Sequence, residues 1–345
     1  MPQSFHLPIG ITSGQTAQAA RAVNGASPLA GGVSGLAFNA VEVQAGGQRH
    51  QLSHQQFRDS HPDIFTKLTA PRHEFAGLPM SEPLVMGILN VTPDSFSDGG
   101  DSFTQAAALT RAEAMLKAGA ALIDVGGEST RPGATVVPPE EEWQRVAPVI
   151  QSLVKQGVKV SLDSRNSLVM KRAIDAGVTI INDVSALNHD PRALEVVARG
   201  GVAVILMHMR HDPSTMNRAP FYQDLLPDVV GELAAAVTRA EAAGIKRDNI
   251  MIDPGIGFAK NSVHNQSIMA NLAGFHGLGL PILLGASRKG LLSGDANRRV
   301  EPKQRLGSSL AAALVGLSAG VQMLRVHDVF ETCQAVEVWR AIAAR

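Results

Sequence analysis

Eight sets of polar residues in this sequence each follow a short apolar run. Asn90 follows residues 84–89, Glu128, Thr130 and Arg131 follow 121–125, Asp163 follows 158–162, and Asn182 follows 179–181. His208 follows 202–207, and Asp253 follows 250–252. Ser287, Arg288 and Lys289 follow 282–286, and Arg325 and His327 follow 321–324. Ionised Asp only accepts hydrogen bonds, whereas Asn donates and accepts. Asp163, Asn182 and Asp253 together suit the edge of a flat amino-pyrimidinone ring. The two carboxylates would accept from ring N–H and NH2 groups, and Asn182 would serve the remaining edge. Lys289 can act as a point charge and Arg325 as a fork, while His327 can donate without being charged. A cationic or donor-rich corner of this kind suits an anion.

Such residues act together only if the fold brings the run ends to one place. A parallel strand covered by helices on both faces reads as a continuous Val/Ile/Leu run. Helix-like sequence separates the runs: 104–118, Pro139–Lys155 with an acidic first turn, 167–176, 191–198, 226–243, 261–271 and 304–318. Strand then helix, repeated eight times, predicts an α/β fold, a (β/α)8 TIM barrel, whose site lies at the C-terminal ends of the strands.

The loops between these elements carry further signals. The loop after Asn90 is long and polar with Phe96 in it, which suits a lid with an aromatic contact to ligand. In the second loop, Gly126-Gly127 would let backbone approach a ligand, and Thr130 with Arg131 would form an anion site. Asp124 could equally hold another strand end. Phe258, after Asp253, suits either stacking on an aromatic ligand or packing beneath its loop. His208 reads as a strand-end histidine with ordinary hydrogen bonds. No His-rich or carboxylate–His pattern indicates a preformed transition-metal site, and the oxygen donors suit Mg2+ arriving with a diphosphate.

At 345 residues, 45% hydrophobic and 18% charged, the chain can fill one barrel plus a smaller segment. Its formal net charge of zero offers no global attraction for nucleic acid or an anionic membrane. The single cysteine, Cys333, excludes an intrachain disulfide framework and a cysteine-based zinc cluster. No run is long enough to span a bilayer and no secretory leader is legible, so a cytoplasmic enzyme is expected. Residues 1–80 form a different region, rich in Gly, Ala, Ser and Gln. A small α/β extension is expected there, with a helix at 15–23, a strand at 36–43, weak helical spacing at 55–68 and a linker near 77–83. It is expected to pack on the barrel or at a subunit contact; residues 81–345 form the catalytic domain.

The motif residues also resemble a known family. Met86-Gly87-Ile88-Leu89-Asn90-Val91-Thr92-Pro93-Asp94-Ser95-Phe96-Ser97-Asp98-Gly99-Gly100 is similar to the first signature of the dihydropteroate synthase family of pterin-binding enzymes. Gly126-Gly127-Glu128-Ser129-Thr130-Arg131-Pro132-Gly133 resembles the second, and the segments 253–260, 285–290 and 325–328 match in order and spacing. Asp163 is followed by Ser164 where the family often has Thr. The resemblance covers about residues 83–345. It implies condensation of 6-hydroxymethyl-7,8-dihydropterin diphosphate with p-aminobenzoate in folate biosynthesis, with Mg2+ and no nucleic-acid or membrane partner, in a homodimer sensitive in principle to sulfonamides. It implies that Asp163, Asn182, Met207, Asp253 and Lys289 bind the pterin. Asn90, Arg325 and His327 would hold diphosphate, with Asn90 near the metal. Thr130, Arg131, Phe258, Ser287 and Phe96 would serve p-aminobenzoate. Asn90, Asp163, Lys289, Arg325 and His327 would carry the catalysis. A pterin-dependent methyltransferase of the same barrel type would share the Asp–Asn–Asp reader without needing the diphosphate corner; a non-catalytic binding barrel would need neither that corner nor the lid.

Overall fold

The computed structural model describes residues 4–91, 101–129, 136–210, 220–290 and 300–345. The chain begins with β1 (Phe5–Ile9), α1 (Gly14–Ala22), the two-residue strands β2 (Ser27–Pro28) and β3 (Ala37–Phe38), β4 (Ala40–Ala45), β5 (Gln48–Ser53), α2 (His54–Ser60) and α3 (Pro62–Thr69). β4 lies between β1 and β5 in an antiparallel sheet. The strand expected at 36–43 is therefore two strands, β3 and β4, in different sheets. The helix expected at 55–68 breaks at His61, whose extended φ of −136° is what a residue before proline adopts. Ser53 starts α2 with a capping box: its hydroxyl accepts from the Gln56 N–H, and its own N–H donates to the Gln56 side chain.

The barrel then alternates without interruption. Its elements are β6 (Leu84–Asn90), α4 (Asp101–Lys117), β7 (Leu122–Gly126), α5 (Pro139–Lys155), β8 (Val160–Asp163), α6 (Ser167–Asp175), β9 (Ile180–Asp183) and α7 (Ala193–Gly200). They continue as β10 (Ala203–Met207), α8 (Leu225–Ala242), β11 (Ile250–Asp253), α9 (Ser262–Ala270), β12 (Leu283–Leu284), α10 (Leu306–Ser318), β13 (Met323–Val326) and α11 (Val329–Ala343). The parallel sheet runs β11-β10-β9-β8-β7-β6-β13-β12. A parallel bridge between Ile252 and Ile282 joins its two ends, so the sheet closes into the predicted barrel.

Side chains alternate across each strand, and those two residues apart share a face. Met86, Leu122, Ile180, Ile205, Met251, Leu283 and Met323 form one buried cluster at the lower end of the lumen. Two residues further along the same strands stand Asp124, Asn182, Met207, Asp253 and Arg325; Asp163 follows Ser161 in the same way. The strand period thus puts an apolar floor under a polar upper layer. The other face of the strands packs on the helices through Leu89, Val125, Leu162, Ile181, Leu206 and Leu324.

The stretch expected as a linker does structural work instead. Phe75 and Leu78 pair in a short antiparallel bridge, and the buried Phe75 and Met80 close the floor cluster from below. Each such side chain stabilises the fold by about 1.5–3 kcal/mol through removal from water. The N-terminal sheet docks on the 3-10 stretch Leu272–Leu278, where Phe5 meets Phe275 edge-on at 6.1 Å. Gly274 is obligatory there, because a Cβ would sit 2.1 Å from the Phe5 ring.

Candidate active site

The barrel mouth is organised around one guanidinium. Arg325, near the end of β13, donates from Nε to Asp124 Oδ2 at 2.6 Å and from Nη2 to Asp163 Oδ2 at 2.6 Å. Asp124 is wholly buried on β7 and also accepts from Asn182 Nδ2 at 3.2 Å. One carboxylate therefore orients both the arginine and the asparagine, which settles Asp124 as a positioning residue. Burial alone would lower the Arg325 pKa, but Asp124 and Asp163 outweigh it and hold the group charged. Burial raises Asp163 to about 7, with Arg325 opposing and Asp124, Glu142 and Asp183 adding to the rise.

Asp253 ends β11 opposite Met207 of β10, and burial raises its pKa while Lys289 opposes the rise. Its Oδ1 accepts from the Gly255 N–H at 2.7 Å, leaving Oδ2 toward the lumen side of Gly285. Lys289 donates to the Ile256 carbonyl, and its Nζ lies 4.6 Å from the centre of the Phe258 ring. Phe258 is half-buried beside this ammonium rather than sealed in the core. Burial lowers Lys289 to about 8 against the pull of Asp253. The loop needs Gly255 at φ +72°, since a Cβ there would lie 2.0 Å from the His208 carbonyl oxygen.

His327 and Ser287 form a fixed pair. The His327 N–H donates to Ser287 Oγ at 3.2 Å, and that hydroxyl faces the ring Nδ1 at 3.1 Å. With Nδ1 accepting from the hydroxyl, Nε2 keeps the hydrogen and can donate. Burial, aided by Arg288 and Arg325, lowers the ring pKa to about 3, which favours the neutral ring. Arg288, in contrast, turns away from this corner. It forks onto Asp328, and its N–H donates to Ser309 Oγ at 2.8 Å. The corner therefore holds Lys289, Arg325 and His327 without Arg288.

In the glycine pair after β7, Gly127 has a packing cause rather than the expected ligand approach. A Cβ on Gly127 would meet Val146 and Glu142 of α5 at 2.9–3.0 Å, whereas one on Gly126 would make only an ordinary contact with Asp163 at 3.4 Å, so the packing cause holds for Gly127 alone. Beyond them, the buried Glu128 accepts from Arg165 at 3.1 and 3.3 Å and from the Val137 N–H at 3.2 Å. That one carboxylate ties both roots of the second loop. Asn90 ends β6 half-buried, in register with Gly126. Phe96, Thr130 and Arg131 lie outside the described residues.

A sequence model of the family described as "Pterin binding enzyme" matches residues 86–327. The dihydropteroate synthase of Escherichia coli strain K12 is 46% identical over 265 residues, covering 76% of this chain and 93% of its own length. This chain belongs to the dihydropteroate synthase family of pterin-binding enzymes. The solved Xanthomonas albilineans dihydropteroate synthase with 4-aminobenzoic acid aligns at a TM-score of 0.74 and 45% identity, over 80% of this chain and 100% of that one. A structure of the Xanthomonas albilineans enzyme in complex with 7,8-dihydropteroate aligns at 0.71 and 43% identity over the same shares. The family match begins at Met86, within β6, where the strand–helix alternation starts.

Within that family frame, the layer behind the mouth carries residues that sequence reasoning did not assign. Lys260 is 1% exposed, and its Nζ shares its N–H groups among four acceptors, His208 Nδ1 at 2.8 Å and the carbonyls of His208, Gly255 and Phe258 at 2.9–3.3 Å. His208 Nε2 donates onward to Glu232 at 3.0 Å, and Arg210 donates to the same carboxylate. Burial, with Lys260 adding to it, lowers His208 to about 4; burial lowers Lys260 to about 7. Lys260 thus stitches the Phe258 loop to the end of β10. The signal was present, since Lys260 closes the 253–260 motif, but one of its partners, His208, comes from a distant strand end.

Proposed function

We propose that this enzyme condenses 6-hydroxymethyl-7,8-dihydropterin diphosphate with p-aminobenzoate, giving 7,8-dihydropteroate and diphosphate for folate biosynthesis. The observation that carries the reading is the upper lumen layer, where the Asp163, Asn182 and Asp253 side chains stand beside Lys289, Arg325 and His327. That juxtaposition supports a pterin reader next to an anion corner. The bond from the pterin methylene carbon to the diphosphate oxygen breaks, and a bond to the arylamine nitrogen forms. The amine proton leaves to solvent or diphosphate.

In this mechanism Asp253 and Asn182 hold the ring edge, Met207 lies beneath it, and Lys289 adds a donor. Arg325 and the neutral His327 stabilise charge developing on the leaving diphosphate, which is the main electrostatic task. Asp163, when ionised, faces the positive charge that spreads over the pterin as diphosphate departs. The amine is nucleophilic once oriented, so positioning by Phe258, Ser287, Thr130, Arg131 and Phe96 replaces a strong base. The metal expectation rests on donor chemistry. Among the described residues no group of three or more His, Cys, Asp or Glu side chains could hold a metal ion, whereas the Asn90 side-chain oxygen can complete a shell otherwise made by diphosphate and water. Mg2+ bound there would neutralise diphosphate charge.

The same proposal takes the active species as a homodimer in the cytoplasm. Exposed Phe330, Val338 and Ile342 on α11 and Val315 on α10 support self-association through the last two helices. Among the described residues, no helix is long and apolar enough to cross a membrane. The test is diphosphate release from the pterin diphosphate with Mg2+, with and without p-aminobenzoate. Release that requires the arylamine supports the reaction, and failure to release diphosphate with both substrates present refutes it.

A further inference from the structure

A second cavity, of about 240 Å3, lies at the far end of the barrel from the mouth. It is lined by Thr66 and Lys67 of α3, by Arg72 and His73 just beyond it, and by the residues that lead into β11 and β12: Arg247, Asp248 and 279–281. Three cations meet there, Lys67 and Arg72 from the extension and Arg247 from the barrel. A Cβ built on Gly279 would lie 3.1 Å from Lys67 Cγ and 3.5 Å from Arg247 Nη2, so these two side chains converge on the same backbone.

Arg72 is the telling residue. Its Nη1 donates to the Ala70 carbonyl at 2.9 Å, and its Nη2 donates to the His276 carbonyl at 3.2 Å with His276 Nδ1 at 3.3 Å. Its Nε is buried and has no partner. Among the described residues, no carboxylate lies within 4.0 Å of Arg72 or Lys67. Glu241 takes Arg247 Nη1 at 2.9 Å and the Leu278 carbonyl accepts from its Nη2, so Arg247 contributes field more than free donors; Asp248 lies 3.7 Å from the His73 ring. Burial and the neighbouring Arg247 depress Arg72 to about 10. Arg72 is half-buried, and a partly desolvated cation without a counter-charge favours a nearby anion.

We propose that this cavity binds a small phosphate-bearing anion held by Lys67, Arg72 and Arg247, at the seam between the N-terminal extension and the barrel. Guanidinium forks and an ammonium suit phosphate oxygens. The volume is below the range of about 300–1,000 Å3 typical of drug-sized ligands, which favours one phosphate group with few further atoms. Its ligands come from both the extension and the barrel, so occupancy clamps one onto the other and stabilises the folded chain by mass action.

The test is thermal unfolding of the full chain at fixed ionic strength, in chloride and with increasing inorganic phosphate or glycerol phosphate. Phosphate can also reach the mouth, so Arg325→Gln serves as the control for that site. Lys67→Gln is the principal variant, because Lys67 is exposed and its loss leaves the core intact; Arg72→Gln is the second. The expected result is a concentration-dependent rise in Tm in wild type and in Arg325→Gln, with apparent affinity weakened at least about tenfold in Lys67→Gln. The phosphate form that acts at the lower concentration names the ligand's source. No rise with either form, or a rise untouched by Lys67→Gln, overturns the proposal.

Discussion

Replacing Asp124 by Asn isolates the charge that organises the mouth. The side chain keeps its shape and can still accept from Arg325 Nε and Asn182 Nδ2, now made at 2.6 and 3.2 Å. The new amide donor falls where Asp124 Oδ1 is buried without a partner, so no satisfied group is lost there. What disappears is one of two negative charges on the half-buried Arg325. Charge-assisted hydrogen bonds are roughly twice as strong as neutral ones, so the expected loss of stability is about 1–2 kcal/mol. Asp124→Ala also removes the acceptor and should cost more, about 3–5 kcal/mol.

The same substitution has a signed effect on pH dependence. Asp163 is raised from 3.8 to about 7, partly by the Asp124 charge. Between those values the folded protein holds a proton that the unfolded chain has released, so this group's contribution to stability falls as pH rises through the window. Removing Asp124 lowers the Asp163 pKa and flattens that slope; Glu142, Asp183 and Asp253, also raised by burial, remain and keep part of it. The acid limb of kcat/KM should move to lower pH for the same reason. Urea unfolding across the window, together with the pH–rate profile, measures both. Unchanged stability with an unmoved acid limb would refute the central role of Asp124.

Other outcomes follow from single contacts. Asn90→Ala should lower turnover by about a hundredfold, or about 3 kcal/mol, with little change in pterin affinity; a rate within a few-fold of wild type removes Asn90 from the diphosphate step. Lys260→Met leaves the His208 and Phe258 carbonyls without their donor, at about 1–3 kcal/mol for each left unsatisfied, while the Gly255 carbonyl keeps the Phe258 N–H. It should raise KM for p-aminobenzoate by loosening the Phe258 loop. It should also abolish a stability increment that, in wild type, grows as pH rises from about 7 toward 10.5, where the unfolded chain binds the proton that buried Lys260 does not. Phe75→Ala empties the barrel floor and should cost about 3–5 kcal/mol by chemical denaturation while kcat of the folded enzyme stays near wild type.

The strand ends were legible because the buried parallel strands are apolar through the floor layer except at Ser161. Asp163, Asn182 and Asp253 therefore marked themselves by interrupting apolar runs. β5 was not legible, since Gln48–Ser53 is a polar, exposed edge strand with no apolar alternation. Nor was α11, which follows the last run directly and shows apolar residues on its solvent face as well as its core face. The ties among Asp124, Asn182 and Arg325, and those through Glu128 and Lys260, join side chains from distant strands. Sequence spacing names such residues without saying which of them meet. Phe75 and Met80 were hidden for a similar reason: a short segment among glycines and prolines becomes a floor only once the lumen above it exists.

Calorimetric titration of the pterin into wild type and Asp253→Asn tests the central claim most directly. Asp253 is buried, and its free oxygen faces the upper lumen layer, where the pterin's own donors are placed in this account. Asparagine sets an amide donor against those donors, which costs about 1–3 kcal/mol for each buried group left unpaired, or about tenfold to a hundredfold in affinity. The account predicts a loss of at least that size, with the fold intact by circular dichroism. Unchanged affinity would contradict it and leave Asp253 as a turn-forming residue for Gly255 alone.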